Sequence, residues 1–119
     1  MSGRSRRPAL VHAAHIVHGG ALLLRPAALA ARVGGVAGDR RAVAVVRVLG
    51  ARHLAQGSAG LVGSGPSSSR LGAVVDGLHA ASMVGLAVLD REHRRAATTS
   101  ALMALAFALA GRWAGREAD

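Results

Sequence analysis

Cysteine is absent from this 119-residue chain, and so are lysine, asparagine and tyrosine. Without cysteine there is no disulfide and no thiolate metal centre, although the redox compartment stays open. Aromatic side chains are almost missing: the chain has one Phe, Phe107, and one Trp, Trp113. A soluble core of this size ordinarily draws on larger aromatic residues. All fifteen basic residues are arginine, a bias that fits a GC-rich genome and carries no chemical message. Catalytic sets are missing too. The stretch "GSGPSSS" lacks the lysine of a phosphate-binding loop, and no histidine lies near Ser67, Ser68 or Ser69 in sequence. The chain is expected not to be an enzyme and to need no cofactor.

What is present is small and apolar. Hydrophobic residues make up 51% of the chain, alongside 16 glycines. Alanine, valine, leucine and glycine suit the close backbone approach of membrane helices. The net charge of +9 raises nucleic-acid binding as an alternative. Such a binder would gather its arginines on one face, with aromatic or polar groups for the bases. Here the arginines instead punctuate apolar runs, as helix-end anchors do in a lipid-facing protein. The expected partners are the lipid bilayer and anionic headgroups at a basic rim, with no nucleic acid.

Residues 1–7, "MSGRSRR", read as a disordered basic head. "PALVHAAHIVHGGALLL", 8–24, is the first hydrophobic helix. A twin-arginine export signal is an alternative there, with "ALA" at 28–30 as a cleavage site, but histidines at 12, 15 and 18 do not suit a signal. Residues 26–41 form a short amphipathic segment and a glycine-broken turn at the interface. The second helix covers 42–63, and "GSGPSSSR" at 63–70 reads as a loop. The third helix covers 71–89, nineteen residues or roughly 28 Å at ~1.5 Å each, close to a bilayer core. "DREHRR", 90–95, is a charged turn. The fourth helix, 96–111, has no charged residue and is followed by Trp113 at an interfacial position; residues 114–119 are a tail.

The expected fold is therefore all-α: a four-helix up-down transmembrane bundle with short loops, a single domain over 8–113. A soluble alanine-rich bundle is the alternative, but it would carry a polar face on every helix, and the fourth has almost none. Orientation is not assigned, because six arginines fall on one side of such a bundle and seven on the other.

The second helix poses the main problem. "VVRVLGARHLAQG", 45–57, carries Arg47, Arg52, His53 and Gln56 in an apolar run. A central arginine costs about 2.5–3.5 kcal/mol on an insertion scale, whereas each Val or Leu contributes only roughly −0.3 to −0.6. Arg47 lies nearer an end and can snorkel; Arg52 and His53 lie at the midpoint and need partners. If the second and third helices form an antiparallel hairpin turning near 64–66, Gln56 faces Asp76, His53 faces His79, and Arg52 reaches Asp76 and His79. The expected buried polar cluster is Arg52, His53, Gln56, Asp76 and His79. It serves either as an ion-pair network that fixes helix pairing or as a proton or ion relay.

Two further patterns stand beside it. His12, His15 and His18 recur every three residues within an arc of about 120°, and imidazoles so placed can ligate a transition metal or haem. The helix has no carboxylate, so the plainer reading is a polar stripe, and no metal is expected. Gly77, Ala81 and Gly85 repeat every four residues, a small-residue face for packing a helix of this chain or of another copy.

The stretches "RVLGARHLAQG", "VDGLHAASM" and "DREHRRAA", over about residues 45–97, resemble small multi-pass membrane proteins of unknown function common in actinobacteria. That resemblance implies a membrane location and supplies no mechanism. The expected function is a structural or interaction component of the membrane, partnered by itself or another membrane protein. A transporter-like or proton-relay component using Arg52, His53, Asp76 and His79 is the alternative.

Overall fold

The computed structural model describes residues 6–34, 39–63 and 66–116. Within them the chain is all-α, with five helices: α1 (Arg6–Leu24), α2 (Pro26–Gly34), α3 (Arg40–Gly63), α4 (Pro66–Leu89) and α5 (Arg94–Gly115). The fifth helix is α2, the short segment expected at the interface. The bounds also move. Arg6 and Arg7, expected in a disordered head, open α1. Arg40 and Arg41 open α3, where the Asp39 carboxylate accepts a hydrogen bond from the Arg41 amide at 2.9 Å, an N-capping arrangement. Ser67 to Arg70, expected in a loop, are the first turn of α4. Proline is well suited to a helix start, where no amide hydrogen is required, so Pro66 begins the helix rather than prolonging the loop.

The long helices pack in two pairs. In the first, α1 lies along α3 through glycine. A methyl group placed on Gly19 would stand 2.7 Å from the Gly50 carbonyl oxygen, and one on Gly57 2.7 Å from the His12 carbonyl oxygen. Only glycine allows backbones this close. In the second, α4 lies along α5 through alanine. Ala97, Ala101, Ala104 and Ala108 on α5 are buried, as are Ala73 and Ala80 on α4. Their alternating steps of four and three make one straight seam. Gly111 closes that seam, since a methyl there would meet the Ser69 carbonyl oxygen at 2.9 Å. The two pairs meet through a narrow central zone, where α3 and α4 approach each other sparsely.

Among the described residues, the small-residue face of α4 packs against no other helix. No atom lies within 4 Å of a methyl added at Gly77 or Gly85, and Ala81 is exposed. The alanines of α4 that pack are one position away, Ala73 and Ala80. Among the described residues one helical stretch, Ser67–Leu89, is long and apolar enough to cross a membrane. Four such spans were expected. Arginines in α3, and the dominance of alanine over leucine in α5, keep those helices short of that mark.

Candidate functional site

The interior at the junction of the two pairs is polar. The most deeply buried large side chains are His15, Asp76 and Ser69, and His12 and His53 are buried as well. Three helices aim His15, Arg52, Gln56 and Asp76 at one point. On α3, Arg52 and Gln56 are one turn apart and share a face, and their long side chains bridge the gap to α4. The short Asp76 side chain waits there on the inward face of α4. The glycines of α3 bring α1 so close that His15 reaches the same place.

Asp76 is the hub. The Arg52 Nη2 group donates to its Oδ1 at 2.8 Å, while Gln56 Nε2 donates to its Oδ2 at 3.1 Å. His15 Nε2 stands 3.0 Å from the same Oδ2. Gln56 Nε2 also lies 3.2 Å from His15 Nε2 and donates weakly to the Gly72 carbonyl at 3.4 Å, and its Oε1 accepts from Arg52 at 3.4 Å. The carboxylate is fully enclosed, whereas the Arg52 side chain is 25% exposed. A buried carboxylate is costly unless paired and hydrogen-bonded, and here both oxygens are engaged.

His15 carries a constraint that its neighbours do not. Its Nδ1 lies 2.9 Å from the Val11 carbonyl oxygen. A carbonyl only accepts, so Nδ1 carries a hydrogen, and in the neutral ring Nε2 then presents a lone pair. That lone pair faces Asp76 Oδ2 at 3.0 Å. In that tautomer a proton on Nε2, the Gln56 amide that reaches both atoms, or a bound cation would relieve the contact.

The other histidines surround this hub without joining it. His53 sits in a ring cluster, with its centroid 5.3 Å from His15, 4.9 Å from His18 and 5.3 Å from Phe107. Its Nδ1 is buried with no hydrogen-bond partner. His12 bonds Ser68 of α4 through Nε2 at 3.2 Å. His79 departs from its expected place: it shares a hydrogen bond with Ser100 of α5 at 3.1 Å, because α4 turns that face toward α5 rather than α3. The position expected for it beside Asp76 is filled by His15, which comes from α1 and lies outside the α3–α4 hairpin. The three-residue histidine spacing on α1 was the available signal for this, and it gave a face without a destination.

One oxygen of Asp76 and one ring nitrogen each of His15 and His53 lie within 4.8 Å of one another. Comparison with protein families, with curated proteins and with solved structures finds no match for this chain.

Proposed function

We propose that this is a small multi-pass integral membrane protein in which the Asp76 hub fastens two helix pairs together, acting as a structural or interaction component of the bilayer. One observation carries the reading: the distribution of polarity is inverted. Among the described residues, twenty large apolar side chains are exposed, including Val62 at 89%, Leu89 at 86% and Leu24 at 84%, while the only large aliphatic side chain in the core is Val11. Water penalises apolar exposure on this extent. A hydrocarbon solvent does not, and it favours the burial of Asp76, His15 and His53 inside the bundle. At ~1.5 Å per residue the 19 to 24 residues of α1, α3, α4 and α5 match a bilayer core of about 30 Å. The arginine cost that holds α3 back as a lone span falls when Arg52 is paired with Asp76.

The absence of cysteine provides the test. Single cysteines at Ser67 and Glu92, at opposite ends of α4, should be labelled by an impermeant thiol reagent from opposite faces of sealed vesicles. The protein should also stay with the membrane through carbonate extraction. Labelling of both positions from the same face, or release by carbonate or high salt, would overturn the proposal.

A second reading rests on the line of imidazoles. His12 meets Ser68 at one end, His15 meets Asp76, and His18 stands against His53 further along. This arrangement supports proton movement along α1, and reconstituted vesicles carrying an internal pH dye would report it as a His15-dependent leak.

A further inference from the structure

We propose that His15, His53 and Asp76 form a binding site for one divalent first-row transition-metal ion, at the meeting point of α1, α3 and α4. This goes beyond the membrane reading and does not depend on it, since the site is defined by side chains inside the bundle.

Three observations carry it. The first is the donor set. Two imidazoles and one carboxylate, all buried, present ligand atoms within 4.8 Å of one another. Two nitrogens and one oxygen suit borderline ions such as zinc or ferrous iron rather than calcium or magnesium.

The second is the tautomer of His15. The Val11 carbonyl holds a proton on Nδ1 at 2.9 Å, so in the neutral ring Nε2 is free to act as a ligand 3.0 Å from Asp76 Oδ2. This backbone-held imidazole is the usual outer-sphere arrangement of a metal-binding histidine. A cation about 2.1 Å from both atoms, an ordinary bond length for either, would subtend roughly 90° across their 3.0 Å separation. That is the angle between neighbouring ligands in an octahedral site.

The third is His53. It is 96% buried, being only 4% exposed, and its Nδ1 has no hydrogen-bond partner. An imidazole nitrogen enclosed without a partner is costly, and a metal bond would satisfy the ring.

The remaining neighbours both help and hinder. Arg52 engages Asp76 Oδ1, leaving Oδ2 as the ligand and holding the carboxylate in orientation. The same guanidinium repels a cation and lowers affinity. Gln56 Nε2 lies within hydrogen-bond reach of both His15 Nε2 and Asp76 Oδ2, so the ion must displace that amide.

The competing account of the His15–Asp76 contact is a shared proton, and the experiment separates the two. The full chain, freed of any histidine tag, is purified in detergent, stripped with a chelator and titrated with Co²⁺ while its visible absorption is followed. One Co²⁺ per chain is expected, displaced by Zn²⁺. His53→Phe keeps a ring against Phe107 and leaves the Arg52–Asp76–His15 contacts in place. It should weaken Co²⁺ binding more than the roughly 10–100-fold typical of losing an outer-sphere partner. His93→Gln, in the distant charged turn, should leave binding unchanged. Folded wild-type protein that binds no Co²⁺ would overturn the site in favour of the shared proton. So would binding untouched by His53→Phe, or abolished by His93→Gln. If His53→Phe does not fold, Cu²⁺ bound to the wild-type chain decides: electron paramagnetic resonance should count two imidazole nitrogens, and any other number overturns the site.

Discussion

Asp76 holds more of this fold together than any other side chain. It is the only fully enclosed acid among the described residues, and it answers Arg52, Gln56 and His15 at once. Removing one member of such a pair leaves an uncompensated buried charge, typically costing about 3–5 kcal/mol. Asp76→Leu alone should therefore lower the unfolding temperature of the detergent-solubilised protein sharply. Arg52→Met should cost at least as much, because it leaves the fully enclosed carboxylate without its guanidinium, whereas the Arg52 left behind by Asp76→Leu still reaches the outside. The double variant should recover much of the loss, and a double-mutant cycle in which the two losses simply add would mean that the residues do not act as a pair. His79 provides the contrast. Its single bond to Ser100 lies at the edge of the α4–α5 seam, so His79→Phe should cost about 1 kcal/mol, the usual net worth of one hydrogen bond.

Outside the bundle, the turn at residues 90–93 is ordered by its own charges. Asp90 accepts amide hydrogens from Glu92 and His93 at 3.0 and 3.2 Å and pairs with the His93 ring at 2.8 Å. The hydrogen bond from His93 lowers the Asp90 pKa. The same bond and the Asp90 charge, with Glu92 and Asp39 nearby, raise that of His93. The signs follow from linkage. The raised imidazole adds stability below its ordinary value and loses it as pH climbs through the folded value; the lowered carboxylate adds stability above its ordinary value and loses it on acidification. The turn should be tightest in the window between the two ordinary values. NMR titration should find His93 ionising above a free imidazole, and Asp90→Asn should bring it back. An unchanged His93 midpoint in that variant would show that the pairing is not made in solution. Because both groups are solvent-exposed, added salt should narrow the effect.

Helix against helix, glycine has two different jobs. In α3, Gly57 faces the His12 carbonyl oxygen at a distance that a methyl cannot share, and Gly60 faces the His12 ring. Gly57→Ala should push α1 and α3 apart and destabilise the fold by about 1–3 kcal/mol, the usual range for overpacking. In α4, Gly77 and Gly85 face open space. There the same substitution removes only backbone freedom, so Gly77→Ala should be neutral or should stabilise the helix by roughly 0.5–1 kcal/mol. Thermal unfolding of the two variants side by side reads the difference. Equal effects would mean that the α1–α3 contact is looser than its geometry.

The assembled protein is a thin object, 46 × 28 × 16 Å between Cα extremes, with alanine and glycine seams inside and valine and leucine outside. Alanine burial yields little hydrophobic gain in water, since each methylene-sized group contributes about 0.8 kcal/mol. Cohesion thus rests on close backbone packing and on the polar hub. Transfer into a strongly water-like detergent shell should loosen the Arg52–Asp76 junction before the seams. Hydrogen exchange should accordingly report faster opening around Gln56 and Gly72 than along Ala101–Ala108.

Much of this was legible from the residues. Helix content followed from alanine-rich runs, and the pairing of depth between Arg52 and Asp76 followed from hairpin arithmetic, because in an antiparallel pair the positions that face each other have a nearly constant sum. The serines after Pro66 misled, since their turn tendency yields to a proline-started helix. The position of His79 and the arrival of His15 could not be read, for a physical reason. Periodicity places a side chain on a face of its own helix, but which neighbour that face meets depends on how closely backbones approach. That closeness is set by glycines on one pair and alanines on the other, acting together across residues far apart in sequence. The convergence of His15, His53 and Asp76 from three helices belongs to that three-dimensional packing alone.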